Sequence, residues 1–332
     1  MKKYQVYGIG AALVDTEIPV DEQFLQNSGV QKGYMTLVDE ARQHELMGLL
    51  EQHLEDSHRT SGGSAANSII THSYFGGRAF YSCKVAGDEN GDFYIDDLHR
   101  ADVALDAEKA RGQGITGKCL VMVTPDAERS MNTFLGISET LSEDNLNLEA
   151  LKNSEWLYME GYLVPSETGR KAAITAREYA QAHGVKVALT LSDPGIVEFF
   201  KDGLQDMLGE KVELVFCNEH EAKQWAGSDN IDDALAAMKT IANTFIVTQS
   251  DKGAFIFDGE TLQHVDAQKV EAIDANGAGD AFAGAFLYAI THGFSWLDAG
   301  KLAADTAAAV VSQYGPRLSK ASYQAILKQH QP

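Results

Sequence analysis

Ala272-Ile273-Asp274-Ala275-Asn276-Gly277-Ala278-Gly279-Asp280-Ala281-Phe282 is the most informative run in this chain of 332 residues. Two glycines bracket an alanine, an aspartate follows at once, and the pattern then turns helical, with Phe282, Phe286, Leu287 and Ile290 on one face. Small residues at Ala281, Ala283, Gly284 and Ala285 let such a helix lie close against a neighbour. Glycines just before a helix leave backbone N–H groups free to converge on an anion, and the helix dipole adds to the attraction. A carboxylate at that point repels an anion unless it takes up a proton. Phosphoryl transfer needs both features: donors for the migrating group and a base for the attacking hydroxyl. The bare pattern also fits a glycine-rich turn with Asp280 as an ordinary acid in the first helical turn.

Around this run, apolar strand-like stretches alternate with amphipathic helices. Tyr4–Gly10, Ala79–Val85, Trp156–Met159, Val185–Leu191, Val212–Phe216 and Thr244–Thr248 read as strands. Glu40–Leu54, Ala65–Tyr74, Gly169–His183, Asp232–Ile241 and Ala278–His292 read as helices. The alternation predicts an α/β fold with a mostly parallel sheet and helices on both faces. Two regions break it. Leu13–Val38 shows short alternating pieces without a convincing helix, and Gly114–Leu135 reads as two strands around the turn Thr124-Pro125-Asp126-Ala127. Ribbons of this kind are either decoration or a lid over a pocket at the strand ends.

Several polar segments sit at strand-to-helix junctions. Ser61-Gly62-Gly63-Ser64-Ala65-Ala66-Asn67-Ser68 opens a helix with paired glycines, and Asn67 lies one turn inside it. Cys217-Asn218-Glu219-His220-Glu221 follows an apolar strand and fits a capped helix start. Thr248-Gln249-Ser250-Asp251-Lys252-Gly253 is a polar turn between two apolar runs. Gly8-Ile9-Gly10-Ala11-Ala12-Leu13 does not make a dinucleotide fingerprint: Leu13 holds the third glycine position, and no acid lies about 20 residues on within a βαβ unit.

The run from Asp274 to Phe282 resembles the C-terminal signature of the ribokinase-like (PfkB) sugar and nucleoside kinases. Within that family it is most similar to the adenosine kinase branch, which reads Asp-Thr-Asn-Gly-Ala-Gly-Asp-Ala-Phe and differs only at Ala275. The segment Ser61–Ser68 resembles the family's N-terminal signature, and the resemblance runs from Gly8 to about Gly315 with the motifs in order. It implies a ribokinase-like fold, with a large α/β body over residues 1–12, 39–113 and 136–332 and a small β-sheet lid over 13–38 and 114–135.

The resemblance also implies roles. Asp280 becomes the catalytic base, and the amides of Gly277, Ala278 and Gly279 form the anion hole. Arg129 on the lid would reach the transferred phosphate. Asp15 would hold two ribose hydroxyls, which a carboxylate suits because it accepts from both. Gly63 and Asn67 would contact the same substrate, and Tyr162, in Glu160-Gly161-Tyr162, would stack on a purine. Thr248, Gly253 and Asn276 would meet the nucleotide. Asn218 and Glu221 would act on magnesium largely through water, as Mg²⁺ keeps much of its hydration. The implied reaction is ATP-dependent phosphorylation of the 5′-hydroxyl of a ribonucleoside, adenosine first, with Mg²⁺ bound to the ATP and a monovalent cation as an option. Ala11 stands where the branch carries asparagine, and Gly195 where it carries phenylalanine. The lid positions facing the base would be Met35, Thr36, Met131, Thr133 and Leu135. That roomier pocket leaves a free-sugar kinase open, and a non-catalytic ligand-binding regulator of the same fold is the rival from another class.

Composition narrows the rest. A formal charge of −21 argues against general affinity for nucleic acid or anionic membranes, so a nucleotide must be met by local donors and a metal ion. Cys83, Cys119 and Cys217 are scattered, with no pair at metal-ligand spacing, which suits a reducing, cytoplasmic compartment.

Overall fold

The strand Tyr4–Ile9 is buried along its whole length, as a strand covered by helices on both faces must be. It occupies the interior of a nine-stranded sheet in the computed structural model, which describes residues 2–33, 35–126 and 128–330. Tyr34 in the first expected lid segment and Ala127 in the expected turn lie outside the described residues. Tyr4–Ile9 pairs in parallel with Ser154–Glu160 on one side and Ala79–Ser82 on the other. The parallel run continues through Lys186–Thr190, Val212–Asn218 and Ala242–Thr248. Two antiparallel strands, Ala254–Phe257 and Leu262–Val265, close that edge.

Side chains alternate between two cores. Val6, Tyr158, Ala188 and Ile246 face the helices Ser64–Tyr74, Ala278–Thr291 and Trp296–Val311. Tyr7, Leu157, Leu189 and Val247 face the helices Glu167–Ala182 and Ile231–Ile241 on the other side. The small residues of the helix Ala278–Thr291 have the expected cause: a Cβ built on Gly284 would lie 2.3 Å from the Ser68 carbonyl oxygen. The two signature helices therefore touch backbone to backbone.

A second sheet has five strands in the order Met35–Leu37, Arg129–Phe134, Gly117–Val123, Leu13–Pro19 and His58–Gly62. One face, with Ile18, Leu120 and Met122, packs on Leu25, Leu46 and Leu50. Three details depart from the sequence reading. A helix does form at Glu22–Ser28, capped by Asp21 at its start and by Gly29 in the left-handed conformation at its end. The helix from Glu40 stops at Leu50 and tightens into a 3₁₀ turn over Glu51–Asp56. Finally, His58–Gly62 pairs with Leu13–Glu17 in the small sheet, although the expected boundaries put 39–113 in the large body. His-Arg-Thr-Ser-Gly has no apolar alternation, so its pairing is visible only in space.

Register defines the face of the small sheet opposite Leu120 and Met122. Asp15, Cys119, Thr133 and Leu37 lie in one row, and Glu17, Val121, Met131 and Met35 in the next. Met35, Met131 and Thr133 are thus on the face expected for them. Thr36 points to the opposite face, since successive strand residues alternate. Leu135 lies beyond the strand, which ends at Phe134, and Leu37 takes the place on that face.

Candidate active site

Asp280 stands in the first turn of the helix Ala278–Thr291, at the junction of the two signature motifs. Its Oδ1 accepts from the Ser64 hydroxyl at 2.6 Å and its Oδ2 from the Asn67 side-chain amide at 3.2 Å. Burial pushes its carboxyl up to about 6, and those two hydrogen bonds pull against the shift. A carboxylate so placed is ionised at neutral pH yet close enough in pKa to accept a proton during reaction.

The turn before the helix supplies the donors. Gly277 has φ 75°, and a Cβ there would meet the Pro316 carbonyl oxygen at 2.4 Å, so only glycine fits. The Ala278 amide donates to the Ala275 carbonyl at 3.3 Å, which removes it from the implied set of three. Among the described residues, no protein acceptor pairs with the amides of Gly277, Gly279 or Asp280. The unpaired donors at this turn are therefore the amides of Gly277 and Gly279, with that of Asp280 in place of Ala278. Asp274 shapes the turn from below: its Oδ1 accepts from the Asn276 amide at 3.0 Å and its Oδ2 from the Gly315 amide at 2.9 Å. Asn276 itself is half-buried at the rim.

Arg129 reaches this turn from the small sheet, but as part of a buried ion pair. Its Nη1 lies 3.0 Å from Glu17 Oε1, and its Nη2 pairs with Asp274 Oδ2. A guanidinium held by two carboxylates is not a free cation for a phosphate, so here Arg129 joins the small sheet to the glycine turn.

On the other wall, the Asp15 carboxylate lies over Gly62, where a Cβ would sit 2.2 Å from Oδ2. Among the described residues, Asp15 has no hydrogen-bond donor, and burial pushes its carboxyl up to about 7. Gly63 has φ 99°, with the Ala11 carbonyl oxygen 2.4 Å from its Cβ position, which lets the chain turn into the helix against the end of the first strand. Asn67 is 5 % exposed, and its Oδ1 is buried without a partner.

Two residues to which the sequence reading gives no role complete this wall. Ser64 belongs to the quoted motif, but its bond to Asp280 spans most of the chain and leaves no local signal. Glu160 is fully buried, and its oxygens accept from the Ala11 and Ala65 amides at 2.7 and 2.6 Å. It clamps the two points where the backbone passes between the large body and the small sheet. Burial pushes its carboxyl up to about 7.

The remaining expected residues divide. Tyr162 is 37 % exposed. Its hydroxyl is raised well above the ordinary tyrosine value, first by burial and then by the charges of Asp193, Asp280, Glu221 and Glu160. Asn218 and Glu221 form a closed capping box: Asn218 Nδ2 donates to Glu221 Oε1 at 2.6 Å, the Asn218 amide to Oε2 at 3.0 Å, and the Glu221 amide to Asn218 Oδ1 at 2.8 Å. Burial pushes Glu221 up to about 7. Both its oxygens are engaged and no cluster of three ligands exists among the described residues, so the pair fits contact with a metal through water and not direct coordination. Thr248 ends its strand beside the Cys217 carbonyl. Gly253 is explained by packing, because a Cβ would lie 1.9 Å from the Val265 carbonyl oxygen.

Four raised carboxyls, those of Asp15, Glu160, Glu221 and Asp280, give a stability prediction. A group whose folded pKa exceeds its unfolded value binds a proton on folding, so stability falls as pH rises between the two values. For Asp15, Glu160 and Glu221 that window runs from about 4 to about 7, and for Asp280 from about 4 to about 6. Buried His72, lowered to about 3, works in the opposite sense below its ordinary value, but it is one group against four. The ligand-free protein is expected to melt at a higher temperature at pH 5.5 than at pH 8. A flat or inverted profile by calorimetry contradicts the electrostatics described here.

A buried carboxylate of raised pKa and unpaired backbone amides thus meet at one helix start, beside a second, smaller sheet. The chain matches the profile described as "pfkB family carbohydrate kinase" over residues 35–322 and belongs to that family. Its fold is ribokinase-like, and its reaction class is phosphoryl transfer to an alcohol. It is similar to the crystal structure of a probable sugar kinase protein from Rhizobium etli (32 % identity, TM-score 0.90, 99 % of each chain). It is also similar to the structure of adenosine kinase from Sinorhizobium meliloti (32 % identity, TM-score 0.89, 98 % of this chain and 99 % of that one). Among sequence relatives, adenosine kinase of Schizophyllum commune is 26 % identical over 96 % of this chain and 97 % of its own. No helix among the described residues is long and apolar enough to cross a membrane.

Proposed function

We propose that this kinase phosphorylates the 5′-hydroxyl of a ribonucleoside, adenosine first, using ATP with Mg²⁺. The observation that carries the proposal is Asp15, a carboxylate without a protein donor, on the wall that also bears the unpartnered Asn67 Oδ1. Asn67 Oδ1 is buried without a donor and Asp15 is half-buried without one; acceptors shielded from water and left unpaired are costly, so such groups are kept where a ligand supplies the donors. Neighbouring ribose hydroxyls fit Asp15, and binding them there directs the primary hydroxyl towards Asp280. Asp280 takes the proton of that hydroxyl while the amides of Gly277 and Gly279 receive the charge on the phosphoryl group. Mg²⁺ bound to the ATP neutralises phosphate charge, and Asn218 and Glu221 are the residues that would orient its water shell. The small sheet is the lid in this reading, with Asp15 and Arg129 carried on it.

Tyr162 supports a nucleoside over a free sugar: its half-exposed ring offers a face to a base. A free-sugar kinase is the second reading, favoured by the open space at Gly195, where a Cβ would meet only Asp193 within 4 Å. Tyr162→Ala separates the two. Base–aromatic stacking in nucleic-acid sites is worth about 1–3 kcal/mol, so the variant is expected to lose about ten- to a hundredfold in kcat/KM for adenosine and little for ribose. Phosphorus NMR should place the phosphate on the 5′-oxygen. Equal losses on both acceptors, or no loss on either, would remove Tyr162 from specificity.

A further inference from the structure

Gly315-Pro316-Arg317 follows the helix Trp296–Val311 and runs between the two halves of the cleft. Gly315 donates to Asp274, and Pro316 packs against Gly277, so this segment forms the back of the glycine turn. Arg317 then crosses to the acceptor wall. Its side chain is 10 % exposed, its Nη1 donates to Ser61 Oγ at 3.2 Å, and its Nη2 lies 3.1 Å from Asp97 Oδ2. The Ser61 hydroxyl also donates to Asp97, and the carbonyl of the next residue, Gly62, accepts from Tyr94 at 3.0 Å. Gly62 is the residue over which Asp15 lies.

We propose that Arg317 is a positioning residue for the acceptor: it fixes the Ser61–Gly63 loop beneath Asp15 and ties that loop to the segment backing the anion-hole glycine. The proposal rests on the acceptor site described under the proposed function. Arg317 makes contact through Ser61 and Asp97, and its planar fork suits two partners at once. The charged groups acting on Asp15 are Arg317, Glu17, Arg129 and Asp280, with the thiol of Cys119 opposite it across the strands. Burial raises Asp15, and Arg317 is the strongest charge opposing that rise, ahead of Arg129. Asp97 shows the same cation from the other side: burial lifts its carboxyl, but Arg317, Ser61 and Arg100 hold it below the ordinary value. Without Arg317, the loop loses its anchor and Asp15 binds its proton more tightly, so it is neutral over more of the working range.

The test compares wild type with Arg317→Met and Arg317→Lys in two measurements. The first is kcat and KM for acceptor and for ATP across pH. The second is the titration of the Asp15 carboxyl by carbon NMR, which needs no turnover. Arg317→Met should lose about tenfold or more in kcat/KM for the acceptor, with its acid limb and the Asp15 midpoint moved to higher pH and KM for ATP unchanged. Arg317→Lys keeps a cation but not the fork, so it should hold the Asp15 midpoint while still losing acceptor kcat/KM. An unmoved Asp15 midpoint in Arg317→Met overturns the proposal. So does an equal rise in KM for both substrates with a lowered Tm, which marks general loosening. If wild type phosphorylates no nucleoside or sugar, the functional reading fails, and the NMR titration alone then decides for or against Arg317.

Discussion

Asp280→Asn is expected to lower kcat by about 10²–10⁴-fold while leaving ATP binding intact. The substitution keeps the shape of the side chain and removes only its capacity to take a proton. The hydrogen-bond shell tolerates it: Ser64 can still donate to the amide oxygen, and Asn67, whose Oδ1 has no partner, can turn over to accept from the new N–H. Because burial already disfavours the charged form of Asp280, the variant should melt no lower than wild type at pH 8. Turnover close to wild type would show that the proton leaves by another route, and a lowered melting temperature would show that Asp280 is chiefly structural.

Gly277→Ala is expected to cost about 10²–10³-fold in kcat, the scale for loss of one preorganised donor in an oxyanion hole. Two independent constraints act at this position. The backbone is left-handed at φ 75°, which an L side chain rarely adopts, and the new methyl would stand 2.4 Å from the Pro316 carbonyl oxygen. Relief requires the turn to move away from Pro316, which shifts the amides aimed at the phosphoryl group. Gly279→Ala is the comparison: nothing lies within 4 Å of its Cβ position and it sits inside the helix, so it should do much less damage. Steady-state kinetics of the two variants check this. Equal effects at both positions would mean that the geometry of Gly277 is not what matters.

Much of this was legible in the sequence because the informative residues are local. The Gly277–Asp280 run, the paired Gly62–Gly63 and the strand-to-helix junction at Asn218 each announce a backbone shape that few other sequences need. The apolar alternation likewise exposed the parallel sheet, since strands buried on both faces read as continuous apolar runs. What stayed hidden depends on contacts between distant residues. His58–Gly62 carries no pattern of its own and becomes a strand by pairing with Leu13–Glu17. Glu160 looked like a neighbour of Tyr162 until its carboxylate met the Ala11 and Ala65 amides. Arg129 looked like a free lid cation, and its two carboxylate partners, Glu17 and Asp274, are 112 and 145 residues away in the chain. Charge partners of that kind cannot be read from spacing.

The measurement that bears most directly on the substrate is ADP release with ATP and Mg²⁺, comparing kcat/KM for adenosine, inosine, ribose and fructose. Adenosine is expected to exceed either free sugar by about tenfold or more, the scale of one base–aromatic stack realised in the transition state. Ribose or fructose turned over more efficiently than both nucleosides would contradict it and make this chain a sugar kinase.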